Sequence, residues 1–379
     1  MSPLALLLWL LVAASAAYYL AAILAALRFP SPRGNSFTPP ISVLKPVRGR
    51  DRNFYACIRS HAAQDYPDFE LLFAVRDPAD PAIEEIRRLA AEFPGRRIEV
   101  FLTEQEFGPN DKVNGLARLR AECRYEVLVV DDSDILVGHD YLRRVVAPLA
   151  DPEVGLVTCL YRGVPGGGLP SLLAALWIST DFQLGVVVAR LLGVRFALGA
   201  TIVLRRGQLD QAGGFAALAP YLADDYMLGK AISDRGSRIV LSDYVVETVL
   251  PRETWGGSWR HRMRWSRTLR VCRPGGYAGL LLTFAVPLSA AALAASPSWW
   301  PLAAGAMTLR VAAAMAVGVR LLRDPLVPRY IFLLPFADLF SFALWIASFF
   351  GREVVWRGAR FRLEPSGRLN PIGTTDEHR

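Results

Sequence analysis

Tyr125-Glu126-Val127-Leu128-Val129-Val130-Asp131-Asp132-Ser133-Asp134 decides how the rest of the chain is read. Val127 to Val130 is a continuous apolar run without polar alternation. That is the pattern of a strand buried on both faces, as in the middle of a parallel sheet. The run leads directly into three carboxylates, Asp131, Asp132 and Asp134. In open α/β sheets ligands bind beyond the carboxyl ends of strands, so these acids stand where a site is expected. Aspartates at i and i+2 on a turn suit a hard divalent cation, which takes oxygen ligands and carries phosphates. The same composition describes a solvated Asp-rich turn, and the Gly and terminal Glu spacing of an EF-hand loop is missing.

Working outward, strands and helices alternate. Ile41-Ser42-Val43-Leu44 reads as a short strand ending in the loop Lys45-Pro46-Val47-Arg48-Gly49. Residues 52–63 suit a helix, Phe69 to Val75 a strand, and 81–92 a helix with Ile83, Ile86 and Leu89 on one face. Ile98 to Leu102 is a third strand and Lys112 to Ala121 the helix before the central strand. Beyond it come a helix near 140–149, a strand at Val154–Tyr161, and a strand opened by Gly199-Ala200-Thr201 and ending at Arg205. Ala223-Asp224-Asp225-Tyr226 starts a helix, where acids suit the positive end of the helix dipole. Two short strands follow at 238–241 and 245–249. Repeated strand–helix units with short connections predict a parallel, doubly wound sheet. Neither G-x-G-x-x-G nor G-x-x-x-x-G-K-[ST] occurs, which argues against dinucleotide and P-loop versions.

The composition places this domain beside a membrane. A 53% hydrophobic content over 379 residues is too apolar for an ordinary soluble enzyme, while 21% charged residues is too many for a polytopic transporter. The net charge of +8 is carried largely by arginine near apolar segments. It is better explained by anionic headgroups and the positive-inside rule than by nucleic acid. Leu4 to Leu27 is uncharged and long enough to span a bilayer, which needs about 20 residues. It lacks the basic n-region of a signal peptide. Arg28 and Arg33 follow it, orienting the next residues into the cytoplasm. Pro30 to Pro40 reads as a linker. Leu169 to Leu192 is apolar but interrupted by Ser179, Asp181, Gln183 and Arg190, and is read as a helix at the interface or packed on the sheet. The four cysteines have neither zinc nor disulfide spacing.

Trp255 to Arg273 places Trp255, Trp259 and Met263 at i, i+4, i+8 among six arginines, the composition of an interfacial helix. Apolar blocks follow at roughly 277–295, 298–321 and 329–350. Arginines lie both between the last two blocks (Arg320, Arg323, Arg329) and after the last (Arg352, Arg357, Arg360, Arg362). Both groups ask to be cytoplasmic, so the final block, interrupted by Pro335 and Asp338, is expected to re-enter or lie flat. The organisation is therefore an anchor (1–28), an α/β domain (41–254), a basic interfacial helix (255–275), membrane helices (277–350) and a basic cytoplasmic tail (351–379).

Several separated elements resemble one family. They are Val43-Leu44-Lys45-Pro46-Val47-Arg48-Gly49, Asp77-Pro78-Ala79-Asp80-Pro81-Ala82-Ile83, the Asp132-Ser133 cluster, Asp210-Gln211-Ala212-Gly213-Gly214 through Ala223-Asp224-Asp225-Tyr226, and Arg264-Trp265. In this order the chain, over about residues 41–275, resembles the ceramide glucosyltransferase family and its relatives among bacterial hopanoid-biosynthesis glycosyltransferases. The resemblance implies a GT-A (nucleotide-diphospho-sugar transferase) α/β fold and single-displacement transfer with inversion. The conserved aspartates of the family match Asp80, Asp132 and, as the catalytic one, Asp225. The closing motif, Gln or Arg followed by x-x-Arg-Trp, matches His261-Arg262-Met263-Arg264-Trp265, with His261 in the leading position. Asp134 completes a D-x-D here.

In that frame Asp132 and Asp134 are the expected ligands of Mg²⁺ or Mn²⁺, a Lewis acid on the leaving diphosphate. Arg264 is suited to bidentate phosphate binding. Trp265 and His261 are expected against sugar or acceptor, and Asp225 as the general base. Lys45, Asp80, Lys112 and Asn114 are expected around the nucleotide. The expected partners are a UDP-sugar, a lipid acceptor and the membrane, with a multi-pass location in the bacterial inner membrane and a cytoplasmic catalytic domain. The arginine-rich segment from Trp265 to Pro274 looks more like the hopanoid branch, implying N-acetylglucosamine rather than glucose. The rivals are a processive polysaccharide synthase, which shares the D-x-D and Arg-Trp logic, and a catalytically silent scaffold that binds nucleotide sugar or lipid.

Overall fold

The computed structural model describes residues 2–30, 36–356 and 358–374. Residues 31–35 of the Pro30–Pro40 linker (Arg33 among them), Arg357 and the end of the basic tail lie outside the described residues. The chain forms two compact units. One comprises Pro30–Gly166 and Arg195–Pro251, the other Met1–Phe29, Gly167–Val194 and Arg252–Arg379.

The first unit is built on an eight-stranded sheet. Its strands are β1 (Ile41–Pro46), β2 (Phe69–Val75), β3 (Ile98–Leu102), β4 (Val127–Asp131), β5 (Ile135–Leu136), β6 (Val154–Val164), β7 (Thr201–Arg205) and β8 (Arg238–Val249), in the order β3-β2-β1-β4-β7-β6-β8-β5. The central strand is buried throughout, as its unbroken apolar run requires. Its neighbour β1 pairs parallel to it, with Val43 opposite Val129. The expectation of an all-parallel sheet is corrected by β7, which runs antiparallel to both β4 and β6. The stretch 238–249 is one strand rather than two, accommodated by a register shift against Cys159/Leu160. Strand–helix units cover the sheet through α2 (Phe54–Ala62), α3 (Ala82–Glu92), α4 (Asp111–Glu122), α5 (Tyr141–Val146) and, after the helical insertion, α8 (Arg206–Gln211) and α9 (Asp224–Asp234). On one face Leu44, Leu72, Leu128, Val130, Ile202 and Leu204 pack against Val113, Leu116 and Leu119 of α4 and Leu228 and Ile232 of α9. Burying such side chains contributes about 1.5–3 kcal/mol each.

The second unit gathers the apolar helices. Helix α1 (Pro3–Leu27) starts with Ser2 as N-cap, its side chain accepting from the Ala5 amide, and with Pro3 in the first turn. Trp9, Val12, Tyr19 and Ala22 are buried, Trp9 and Val12 against Leu288, Ala292, Ala303 and Ala306. Leu4, Leu7, Leu10, Leu20 and Leu24 remain exposed, as the outer face of a membrane helix requires. The segment with Asp181 belongs to this unit. It consists of α6 (Leu169–Trp177), a π-helical turn (Ile178–Phe182) and α7 (Gln183–Leu191). The remaining helices are α10 (Trp255–Cys272), α11 (Pro274–Gly279), α12 (Ala285–Ala295), α13 (Trp300–Met315), α14 (Leu326–Tyr330) and α15 (Leu334–Ser348).

Among the described residues, four helical stretches are long and apolar enough to cross a membrane: Pro3–Leu27, Leu169–Leu191, Pro297–Leu321 and Leu326–Ser348. In the first C-terminal block Pro274–Thr283 and Ala285–Ala295 meet at 64°. The basic tail is not featureless: β9 (Glu353–Trp356), β10 (Ala359–Leu363) and β11 (Leu369–Thr374) form a three-stranded antiparallel sheet. All four cysteines are free.

Candidate active site

Beyond the carboxyl end of β4 the chain turns through Asp132-Ser133-Asp134 into β5. Asp131, the last residue of β4, points inward and is fully buried. Its Oδ1 accepts from the Tyr141 hydroxyl and the Thr201 hydroxyl, both at 2.8 Å, and His61 Nε2 stands 3.2 Å from its Oδ2. Burial alone would raise its carboxyl, but the His61 ring, Lys45 and Tyr141 hold it below the usual carboxylate range. Asp131 is thus the anchor of the acidic turn, and the cross-strand register that sets Thr201 opposite it supplies part of that anchor. His61 is itself buried in this core network, its Nδ1 2.9 Å from the Cys57 carbonyl.

Lys45, fully buried at the end of β1, donates to the Asp132 backbone carbonyl at 3.0 Å. Burial lowers its ammonium below the ordinary lysine value, against the opposing pull of Asp131. The side chain of Asp132 faces outward and meets Lys112, on the first turn of α4, at 2.7 Å. The same Lys112 Nζ lies 3.7 Å from Asp224 Oδ2 at the start of α9. Burial disfavours its charge, yet Asp132 and Asp224 hold it well above the ordinary lysine value. One cation therefore joins the acidic turn to the pair Asp224-Asp225.

Asp225 accepts from its neighbour's backbone, the Tyr226 N–H, at 2.7 Å. Burial first, and then the charge of Asp224, push its carboxyl up to about 6 against the opposing pull of Lys112. Asp134 is pushed to about 6 as well, by burial and then by Asp132, while its Oδ2 accepts from the Thr248 hydroxyl at 2.6 Å. A carboxyl near 6 still ionises around neutral pH, where proton acceptance is most useful.

Asp80 lies at the turn between β2 and α3. Its Oδ2 accepts from the Gly49 N–H at 2.7 Å and its Oδ1 from the Ala82 N–H at 2.8 Å, so it fastens the β1 loop to the start of α3. Asn114 is buried with both amide atoms engaged in the preceding loop, accepting from the Phe107 N–H and donating to the Gly108 carbonyl, each at 2.9 Å. The neighbour that reaches the acids is Asn110, whose Nδ2 donates to Asp224 Oδ1 at 3.4 Å. Two contributors were missed from sequence. Asn110 was passed over for Asn114. At Gly199, a Cβ would stand 3.1 Å from Asp225 Oδ2.

The donor set at the turn is all oxygen. Among the described residues no group of three or more His, Cys, Asp or Glu side chains can hold a metal ion by itself. Two carboxylates with substrate phosphates completing the shell is the usual way Mg²⁺ is held, and the turn offers two, Asp132 and Asp134.

His261, Arg264 and Trp265 lie on α10 in the helical unit. The His261 ring is 5.9 Å from Trp265, and its Nδ1 is 3.3 Å from Glu253 Oε1. Trp265 also meets Phe182 at 5.3 Å and Trp177 at 5.8 Å. Arg264 is half-buried.

Ceramide glucosyltransferase 1 of Caenorhabditis elegans is 28% identical over 207 residues, covering 54% of this chain and 44% of its own length. Ceramide glucosyltransferase of Candida albicans is 31% identical over 121 residues, covering 29% and 22%. The chain thus matches less than half the length of these curated relatives. A mannosyltransferase from Pyrobaculum calidifontis, solved with GDP-Man and Mn²⁺, superposes with a TM-score of 0.53 at 20% identity, over 90% of this chain and 99% of that one. That likeness shows the GT-A fold. The profile of glycosyl transferase family 21 matches residues 7–369, nearly the whole chain, and to that family this protein belongs.

Proposed function

We propose that this protein transfers a sugar, glucose or N-acetylglucosamine, from a UDP-sugar to a hydroxyl of a membrane lipid, ceramide or a hopanoid, with inversion at the anomeric carbon. The observation that carries the reading is the junction at Lys112, which joins Asp132 of the acidic turn to the Asp224-Asp225 pair. A leaving-group site and a proton acceptor are thereby held on neighbouring loops at one end of one sheet. Asp225, with its carboxyl near 6, is the general base for the acceptor hydroxyl. Asp132 and Asp134 are the ligands for a divalent cation, which when bound neutralises the developing charge on the diphosphate. Lys112 holds the two acidic loops together by offsetting the repulsion between their carboxylates, and turns toward phosphate as the donor binds. Lys45 and Asp80 hold the β1 loop in the shape the nucleotide meets.

The same reading sets the catalytic unit and the tail in the cytoplasm of a bacterial inner membrane. It is supported by the arginines that follow α1 and by the course of α15 described below.

The test is transfer by purified full-length protein in detergent with Mg²⁺. UDP-glucose and UDP-N-acetylglucosamine are each paired with ceramide and with a polyhydroxylated hopanoid, and lipid products are identified by mass. A product with one pairing, lost in Asp225→Asn while UDP-sugar binding persists, is the expected outcome. A growing polymer instead moves the assignment to a synthase. Donor binding without any transfer moves it to a scaffold.

A further inference from the structure

The helical unit contains a polar constellation that the proposed reaction does not use. Arg310 and Asp338, 1% and 3% exposed, form a bidentate pair at 2.7 and 3.1 Å. The remaining Nη1 of Arg310 donates to the Thr180 carbonyl at 2.8 Å, inside the π-helical turn. That guanidinium is thus committed to fixing the turn. A π-turn inserted into a helix re-aims the side chains that follow it and is frequent at functional sites.

Asp181 lies within that turn. Trp177 donates to its carboxylate, and Arg310 and Arg262 act on it as opposite charges. No cation lies within ion-pairing distance of it among the described residues. Across from it on α1, the Tyr18 hydroxyl is buried without a hydrogen-bond partner. It lies in the field of Asp181 and Arg310 and only 3.7 Å from where a Cβ would sit on Gly185. Beside them stand the mutually packed rings of Trp177, Phe182 and Trp265, with Arg262 stacked 4.3 Å over Trp177. A carboxylate and an unpartnered hydroxyl among apolar helices are costly unless a ligand offers complementary groups.

We propose that Tyr18 and Asp181, walled by Trp177, Phe182 and Trp265, bind the polar head of a long-chain lipid. Its hydroxyl or amide N–H donates to Asp181 and its oxygen accepts from Tyr18. The ligand class is a lipid whose head carries a hydroxyl beside an amide or beside a second hydroxyl. The aromatic walls suit the first carbons of its chain. The proposal rests on the reading that the acceptor is a lipid, and it makes Asp181 and Tyr18 acceptor-binding residues.

Two lipids serve as probes on the full-length protein in detergent: ceramide and a polyhydroxylated hopanoid, each with a diazirine beside the polar head. Label on peptides containing Tyr18 or residues 177–185, diminished in both Asp181→Asn and Tyr18→Phe, is the expected result. In turnover, Asp181→Asn raises the acceptor KM by about tenfold or more, the loss expected from one charge-assisted hydrogen bond, and Tyr18→Phe by about three- to tenfold, that of a neutral one. The donor KM and the slow hydrolysis of UDP-sugar stay unchanged. Tyr18→Phe removes one oxygen and keeps the ring, so it tests the site without disturbing the packing. Labelling elsewhere only, or undiminished in both variants, overturns the proposal even if lipid transfer is confirmed. If the wild-type protein glycosylates neither lipid, the reading of the reaction fails, and the labelling pattern still decides whether the lipid site exists.

Discussion

A side chain at Gly199 would crowd the acidic pair. A Cβ there would sit 3.1 Å from Asp225 Oδ2 and 3.5 Å from Lys112 Nζ. Gly199→Ala should therefore push the carboxylate off its position and cost about 10–100-fold in kcat, with thermal stability nearly unchanged; paired kinetics and melting curves check this. Asp225→Asn should cost about 10²–10⁴-fold in transfer, the usual span for a lost general base. In the wild-type protein the rate should fall as pH drops below about 6, because the base is then protonated. Stability runs the other way. Asp134 and Asp225 have folded-state pKa values near 6, above those of an unfolded chain, so they favour the fold most at low pH. That contribution fades as pH rises from about 4 to about 6. Asp134→Asn, which keeps an oxygen for Thr248, should raise the apparent Tm of the ligand-free protein at neutral pH by a few degrees while weakening Mg²⁺-dependent donor binding. The places of Asp132 after a strand and of Asp225 at a helix start were legible because D-x-D and an acidic helix start are local patterns, while the roles proposed for them came from the resemblance. Gly199, Asp131 and His61 were not legible, because their meaning comes from strands and helices that meet only in the folded sheet.

At the scale of elements, α10 and α15 lie side by side and run the same way. Trp255 meets Phe336 at 6.0 Å, Trp259 meets Phe340 at 5.7 Å, and Arg262 donates to the Ser341 hydroxyl at 2.7 Å. Further along, Arg270 donates to the Phe349 carbonyl at 3.1 Å and to that of Gly351 at 2.6 Å. A helix with five arginines in about five turns does not cross a bilayer, and a helix paired with it in step shares its depth. Composition alone makes Leu326–Ser348 a candidate span, but this pairing favours a helix lying along the surface. In sealed inside-out vesicles, with Cys272 replaced by Ser, a cysteine at Asn370 should react with an impermeant maleimide as readily as one at Glu104. Labelling of the two from opposite sides would refute the arrangement. The apolar run of β4 and the strand–helix alternation were legible from periodicity. The reversal of β7 was not, because a short apolar strand carries no mark of its direction.

At the scale of the whole molecule, the chain passes between its two units at 29/30, 166/167, 194/195 and 251/252. A fragment of residues 36–251 therefore carries the apolar segment 167–194 with it and should aggregate without detergent. The same fragment with that segment replaced by a short Gly/Ser linker should stay dispersed and bind UDP; gel filtration and calorimetry separate the two outcomes. The insertion also falls between β6 and β7, while β7 lies between β4 and β6 in the sheet. A nascent chain thus makes two strands of the sheet's middle, then a length of greasy helix, and only then the strand that fills the gap between them. Completion of the catalytic sheet waits on the ribosome's dispatch of that helix, so the order of synthesis ties the birth of the active site to arrival at the bilayer.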